Sequence, residues 1–428
     1  MAELAAGLIA AEEIVSTSVQ AGAAGYAVAK PTMPVRASFE KFGSATVPGT
    51  SRSSLARAHH TLTVVDNKAY IFGGQIASGD LASNEIHALT FAGPEEGKPE
   101  YQMLPAITSD AAAPGPAART KHAACAVGKH VVVYGGCGQL GELVDDRSTL
   151  WQFDTQRLMW QVLQPETHPE RVPAPRSEGI LLSHDNNLIL FGGRDGTGAI
   201  LQDVWHFNTF TKTWNALPSA PIATDSAAIA ANTLYLISSH DSLSSDVHSL
   251  AIELYAPQPP TWQTTTYPTN PLTPGPGTRT NAGFLPVSTG YGRNFLLYLF
   301  GDKKPYRNGV TSMASNAIEA PRWDDLWTFQ VSSSEPEMQT TTDFANAIKP
   351  ARIKDQIREK LGVDTGNMTW CKVEPHSTDE TASEKGSHPG PRSCFACGAA
   401  ADARTVILWG GISDSGEVLG DGWILRLE

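Results

Sequence analysis

The chain has 428 residues with 38 Gly, 29 Pro and 41% hydrophobic content, the profile of a globular protein made of many short strands joined by turns, which points to an all-β fold. Its formal net charge of -12 argues against nonspecific binding to nucleic acid or acidic membrane surfaces, both driven by neutralising phosphates, while leaving room for a local basic patch. Five cysteines, an odd number, exclude a complete disulfide framework and point to reduced thiols in a cytoplasmic protein.

Residues 1–35 read as an extension. Glu3, Glu12 and Glu13 interrupt what could have been an apolar signal core, and no basic segment precedes it. The Ala-rich stretch from residue 3 to 27, with Ile9, Ile14 and Val15, predicts a helix packed across one face or the side of the domain that follows. No run of about 18 apolar residues occurs, so no membrane span is expected.

From residue 36 onward one pattern recurs six times. Apolar strands run into small residues or a variant of them at Tyr70–Gly74, Val132–Gly136, Leu190–Gly193, Tyr235–Ser239, Tyr298–Asp302 and Ile407–Gly411. Upstream of five of them stands an arginine, at Arg57, Arg119, Arg176, Arg279 and Arg392, and Ala223 takes that place in the fourth repeat. Downstream come a third strand and a fourth carrying an aromatic residue, as in Leu150-Trp-Gln-Phe followed by Met159-Trp-Gln-Val. Small residues near an axis and large aromatics at the periphery suit wedge-shaped blades. The last repeat stops after its third strand at Gly422–Glu428, and Ala37–Phe42 has the character of the missing fourth. Pairing the two ends closes a ring of six blades and removes exposed edges.

On these diglycine and paired-aromatic motifs the chain resembles the kelch family over residues 36–428, which implies a six-bladed β-propeller with insertions at 302–324 and 331–367. Within the second insertion, Ile353, Ile357 and Leu361 form one helical stripe over 350–361. The first, with Tyr306, Arg307, Met313 and Trp323, is expected to overhang the channel mouth as a lid.

In kelch propellers generally, residues at the start of the innermost strand and just after the diglycine surround the channel mouth. The resemblance therefore assigns Arg57, His59, Arg119, Lys121, Arg176, Glu178, Asp225, Arg279, Asn281 and Arg392 to one set, and Gln75, Cys137, Arg194, His240, Lys303 and Ile412 to the other. Such a mouth would be strongly cationic and suited to a carbonyl, enolate or carboxylate. Each arginine has an equal claim to a second role, bonding backbone carbonyls between blades. His60 and His122, on the opposite strand face, read as structural.

Other constellations are weaker. Cys394 and Cys397 have CxxC spacing, but in a strand they face opposite ways and no second pair exists, so no metal is expected. Glu380, Glu384 and His388 resemble the spaced iron ligands of plant nitrile-specifier proteins, themselves kelch propellers; here Glu replaces the middle Asp, and the surrounding segment reads as a solvated loop. The copper constellation of galactose oxidase is not found in the sequence, nor are GxSxG, HExxH or a Gly-rich nucleotide loop, and Asn367-Met-Thr369 is a sequon.

Two function classes follow. One is a protein-interaction scaffold, the common role of kelch propellers, usually accompanied by partner domains that this sequence lacks. The other is a cofactor-independent enzyme: the layout and sequence character are similar to stand-alone kelch-like proteins of fungal natural-product clusters, some of them hetero-Diels-Alderases. That resemblance implies a polyketide- or terpenoid-type substrate, no cofactor and donors to a polarised carbonyl. Arg57, Arg119, Arg176, Arg279 and Arg392 form the catalytic pool, followed by His59 and His240. Gln75, Lys121, Glu178, Arg194, Asp225, Asn281, Lys303, Tyr306 and Trp323 line the substrate site.

Overall fold

A computed structural model describes residues 35–45, 55–91, 100–110, 114–144, 146, 149–238, 246–254, 257–266, 275–289, 293–303, 321–331, 368–376 and 388–428. The expected helices over 3 to 27 and 350–361, most of the lid, Tyr306, His240, Glu380, Glu384 and Asn367 lie outside the described residues. No α-helix is formed among those described.

Six antiparallel four-stranded sheets follow one another along the chain. Blade one is Thr61–Val65, Lys68–Phe72, Ile86–Thr90 and Tyr101–Leu104; blade two is Ala123–Val127, His130–Tyr134, Leu150–Asp154 and Met159–Leu163. Blade three runs Ile180–His184, Asn187–Arg194, Ile200–Asn208 and Thr213–Leu217, and blade four Ala227–Ala230, Thr233–Ile237, Val247–Ala251 and Gln263–Thr265. Blade five comprises Gly283–Ser288, Asn294–Leu299, Leu326–Gln330 and Trp370–Lys372. Blade six takes Ala396–Ala399, Thr405–Trp409 and Asp421–Leu427 from the C-terminus and Arg36–Ser44 from the N-terminus.

The second strand of each blade is covered on both faces, which explains its unbroken apolar run: Leu188, Ile189, Leu190 and Phe191 are all fully buried. Successive blades share their cores. Between blades one and two, Phe72, Phe153 and Trp160 meet with ring centroids 5.2 Å apart, and Tyr134, Phe207 and Trp214 repeat the arrangement one seam on.

The closing strand pairs antiparallel with the last, Phe39 opposite Leu425 and Lys41 opposite Trp423, with a bulge between Lys41 and Gly43. Phe42 meets Trp409 edge-on at 5.9 Å. A further two-residue strand, Glu374–Pro375, adds parallel to Arg36 and Ala37 and covers the rim of this blade.

The hairpin registers fix which residues are equivalent, and they correct two sequence assignments. Thr61 pairs with Phe72 and Gly283 with Leu299, so Phe300-Gly301, not Gly301-Asp302, is the diglycine equivalent of blade five. Phe300 and Gly301 have φ of 54° and 98°, close to the 61° and 91° of Gly73 and Gly74. In blade four Ala230 pairs with Thr233 as Val65 pairs with Lys68, and Ile237 N–H bonds Ser226. Counting back from Ser226 places Ile222, not Ala223, at the arginine position, and Thr224, not Asp225, two residues after it.

Candidate functional site at the hairpin end of the channel

Each repeat arginine precedes its inner strand by four residues and is at most 1% exposed. Its Nη1 donates to the carbonyl of the first diglycine position: Gly73 at 3.1 Å, Gly135 at 3.0 Å, Gly192 at 2.9 Å, Phe300 at 3.1 Å and Gly410 at 3.1 Å. In four blades the guanidinium also pairs with an aspartate in or just before the third strand: Asp146 at 2.5 Å, Asp203 at 2.7 Å, Asp325 at 2.8 Å and Asp421 at 2.9 Å. These carboxylates in turn accept from the indoles of Trp151, Trp205, Trp327 and Trp423. Blade one substitutes His87, whose Nε2 lies 3.0 Å from Arg57 and whose Nδ1 lies 2.9 Å from the Tyr101 hydroxyl. Burial lowers Arg57 to about 10 and His87 to about 3, so this imidazole is neutral.

This placement corrects the expected donor pool. Arg57, Arg119, Arg176, Arg279 and Arg392 are sunk in the blade walls, each with Nη1 on a backbone carbonyl and four of them on a carboxylate as well, so their charges are not presented at the mouth. Trp323 is likewise a wall residue. Its indole donates to Thr278, and its ring lies 5.1 Å from the Arg279 guanidinium and 4.5 Å from Lys303 Nζ.

Two residues beyond each arginine the chain reaches the axis. His59, Lys121, Glu178, Asn281 and Cys394 all have φ between 53° and 57°. Their peptides join blade to blade in an annulus: Glu178 N–H to Lys121 at 2.8 Å, Lys121 to His59 at 3.1 Å, His59 to Cys394 at 2.9 Å and Cys394 to Asn281 at 3.2 Å. Asn281 N–H donates to the Asp225 carboxylate at 2.7 Å, a side chain standing in for a peptide. Hairpins rise from the positions after the diglycine, where Gln75, Cys137, Arg194, Asp302 and Ile412 each bridge the residue following the arginine.

The polar groups at this end form two clusters. On blades two and three Glu178 accepts from Lys121 Nζ at 2.7 Å and from Arg194 Nε at 2.8 Å. Burial opposes the Glu178 charge, but these two cations outweigh it and hold its carboxyl below the usual range. On blades five and six, buried Asp302 accepts from Asn281 Nδ2 at 2.9 Å and faces Arg322 Nε at 3.3 Å; Arg322 Nε donates to Ser393 and its N–H to Asp414. The half-buried His59 imidazole makes no hydrogen bond among the described residues. Desolvation and the Lys121 charge lower it to about 4, leaving it neutral and open to a ligand. Burial and Asp302 raise the Cys394 thiol to about 12, which disqualifies it as a thiolate nucleophile.

Of the assigned residues, the structure thus brings His59, Gln75, Lys121, Glu178, Arg194, Asp225 and Asn281 to the channel end, with Lys303 beside Trp323. Sequence reasoning missed Cys394, Asp302, Arg322 and Thr224. Cys394 carried the same two-residue spacing from its arginine as His59, and Asp302 was displaced by the misplaced diglycine.

The structural histidines behave as expected. His60 and His122 are buried between blades, and His122 meets Thr61 Oγ1 at 2.8 Å and Phe72 edge-on. Cys394 and Cys397 diverge: the first lies on the annulus, the second close to Gly283 of blade five. His388 packs against Phe39 and Phe300 and accepts from Gly390 N–H.

Six four-stranded blades in a closed ring, five of them braced by a buried arginine at the diglycine turn or its equivalent, settle the architecture. The fold is a six-bladed β-propeller with repeats of the kelch type. A sequence profile of the KLHDC2/KLHL20/DRC7 Kelch-repeats domain matches residues 44–240. Among curated relatives, human Kelch domain-containing protein 3 is 27% identical over 180 residues, 41% of this chain and 42% of that protein. The flagellar outer-arm dynein alpha chain of Chlamydomonas reinhardtii is 26% identical over 156 residues, 35% of this chain and 3% of the dynein. The kelch propeller thus spans less than half the length of the relatives it matches. The solved structure of YjhT shares the fold, with a TM-score of 0.55 and 11% identity over 87% of this chain and 97% of that one. No helix among the described residues is long and apolar enough to cross a membrane.

Proposed function

We propose that this kelch propeller binds a small polyketide- or terpenoid-type molecule at the hairpin end of its channel and promotes a cofactor-independent hetero-Diels-Alder cycloaddition there. The observation that carries the reading is a contrast between two positions of one repeat. At the arginine position five blades keep the same buried residue, as a structural role demands. Two residues on, the backbone is again the same, yet the side chains are His59, Lys121, Glu178, Asn281 and Cys394. A left-handed conformation at non-glycine residues costs on the order of 1 kcal/mol each and glycine would remove it. Keeping five different polar or reactive side chains there favours a role in recognition.

The chemistry asks for little more than these groups. A heterodiene and an alkene form two σ bonds with no leaving group, so the site must hold both in near-attack geometry and stabilise charge building on a carbonyl oxygen. The neutral N–H of His59 and the ammonium of Lys121 are suited to that donation, replacing the arginines in this role. The resemblance in sequence character to fungal biosynthetic kelch-like proteins supports the reaction class. With an o-quinone-methide precursor and a terpenoid alkene, the protein should change adduct ratio or stereochemistry relative to buffer, and His59→Ala or Lys121→Ala should return it toward the uncatalysed value. Product profiles identical to buffer across matched substrates would refute the reading.

One observation favours a protein ligand instead: Leu140, at the tip of the blade-two hairpin, is 94% exposed. If a protein segment is the ligand, Leu140→Asp should abolish its binding while leaving any adduct ratio unchanged.

A further inference from the structure

The peptide annulus has a break, and it falls at one seam. Around the ring each residue two positions after the arginine donates its N–H to the equivalent carbonyl of the preceding blade, from blade two to one, three to two, one to six and six to five. Blade four should donate from Thr224 to Glu178. That bond is not made, and neither the Thr224 N–H nor the Glu178 carbonyl has another partner among the described residues.

Three further features mark the same seam. Ile222 replaces the bracing arginine. Gly74, Gly136, Gly301 and Gly411 each donate an N–H across their seams to the carbonyl of the next arginine, at 2.9 to 3.0 Å; Gly193 makes no such bond to blade four. The backbones also stand farther apart. A Cβ on Gly73, Gly135 or Gly410 would fall 2.4, 2.3 or 2.6 Å from the oxygen at the next blade's arginine position, whereas one on Gly192 would meet no atom of Ile222 within 4 Å, the nearest blade-four atom being the Thr224 oxygen at 4.0 Å. The ring is therefore open between blades three and four, with one peptide donor and one peptide acceptor left unused among the described residues.

We propose that this break is a subsite for an amide-shaped group, a lactam, carboxamide or peptide bond, whose own N–H and C=O complete the annulus. Its carbonyl accepts from Thr224 N–H and its N–H donates to the Glu178 carbonyl. Thr224 is half-buried and Glu178 exposed; a hydrogen bond to a peptide group is net favourable even in exchange for water, so a ligand supplying both halves gains more than one supplying either. The neighbouring Lys121, Glu178 and Arg194 cluster and the Asp225 carboxylate place charge on either side of the break, which restricts this subsite to a neutral polar group. The inference rests on the reading of this channel end as a ligand site and deepens it by naming the group recognised.

The test uses the full chain labelled with ¹⁵N-threonine, titrated with 2-pyrrolidone, N-methylpyrrolidone and γ-butyrolactone. These rings are alike in size but only the first carries both donor and acceptor. The Thr224 amide signal, assigned by its loss in Thr224→Ser, should shift saturably with 2-pyrrolidone and about tenfold more weakly with the other two, the difference expected for one lost hydrogen bond. An unmoved Thr224 signal, or equal response to all three, overturns the proposal. Thr224→Pro, which deletes the N–H, should abolish lactam binding in a folded protein; if it does not fold, the wild-type comparison of the three rings decides. Lactam binding by the unaltered chain without any effect on adduct ratios would sink the cycloaddition reading and spare this one.

Discussion

Replacing Arg176 by Ala separates bracing from recognition. The guanidinium is 1% exposed, donates to both Asp203 oxygens at 2.7 and 2.8 Å, to Gly192 at 2.9 Å and to Ala174 at 2.9 Å. Truncation leaves Asp203 held only by the Trp205 indole among its side-chain partners, and strips two carbonyls of their donor. Breaking a buried ion pair by removing one partner costs about 3–5 kcal/mol. The Asp203 side chain is 32% exposed and regains some water, which places the expectation at the lower end, about 3 kcal/mol. Urea denaturation followed by tryptophan fluorescence, with far-ultraviolet circular dichroism as a second probe, measures it; coincidence of the two curves checks that the blades unfold together. A midpoint unchanged within about 0.5 kcal/mol, combined with loss of ligand binding, would return this arginine to the site and refute the bracing argument.

Glycine at the annulus should behave in the opposite way. His59→Gly and Lys121→Gly relieve a left-handed backbone, so each should leave stability unchanged or raise it by up to about 1 kcal/mol in the same denaturation assay while weakening ligand binding. Stability should fall with pH in two stages. Burial lowers His60, His87 and His122 below the ordinary imidazole value, so below about pH 6.5 the unfolded chain takes up protons that the folded one refuses. Asp203 and Asp421, held below the usual carboxylate range by their arginines against the opposing effect of burial, extend the loss at lower pH. His122→Gln should remove about one proton from the slope of stability against pH between 6.5 and 4. Deleting residues 1–45 removes the closing strand and bares the edge of Asp421–Leu427; light scattering should then show strand-exchanged oligomers or aggregates in place of the parent species.

The fold was legible because its signals are local and repeated. Apolar runs ending in small residues, paired tryptophans and the complementary chain ends each follow from blade geometry, and the closure of Phe39 against Leu425 is as expected. The direction of the arginines was not legible. Alternation along a strand says nothing of a residue four positions before it, in irregular backbone, so channel and wall looked equivalent. The partners that decide the matter were present in the sequence, Asp203-Val-Trp205, Asp325-Leu-Trp327 and Asp421-Gly-Trp423, but their pairing with Arg176, Arg279 and Arg392 spans 27 to 46 residues. Phe300 hid the blade-five turn for a different reason, a bulky residue at φ 54° in a place where glycine is the natural choice.

A chain that repeats one unit six times contains its own comparison set, and the two kinds of variation within it carry different information. Where a side chain must complete the wall, five blades converge on arginine, and the blade that departs, at Ile222, also loses two inter-blade peptide bonds. At the axis, where the wall needs only a backbone turn, the side chains diverge and the glycine that would be cheapest is never used in the five left-handed positions. Convergence at one position and divergence two residues later is what a scaffold with a single asymmetric site requires. A surface that bound a ligand symmetrically would instead repeat its contact residue from blade to blade. The same comparison locates the asymmetry: the unbraced seam, the unused Thr224 and Glu178 peptide groups and the Asp225 carboxylate that stands in for a peptide all fall at blade four, so a ligand seated off the axis toward that blade meets peptide groups that the other seams have already paired.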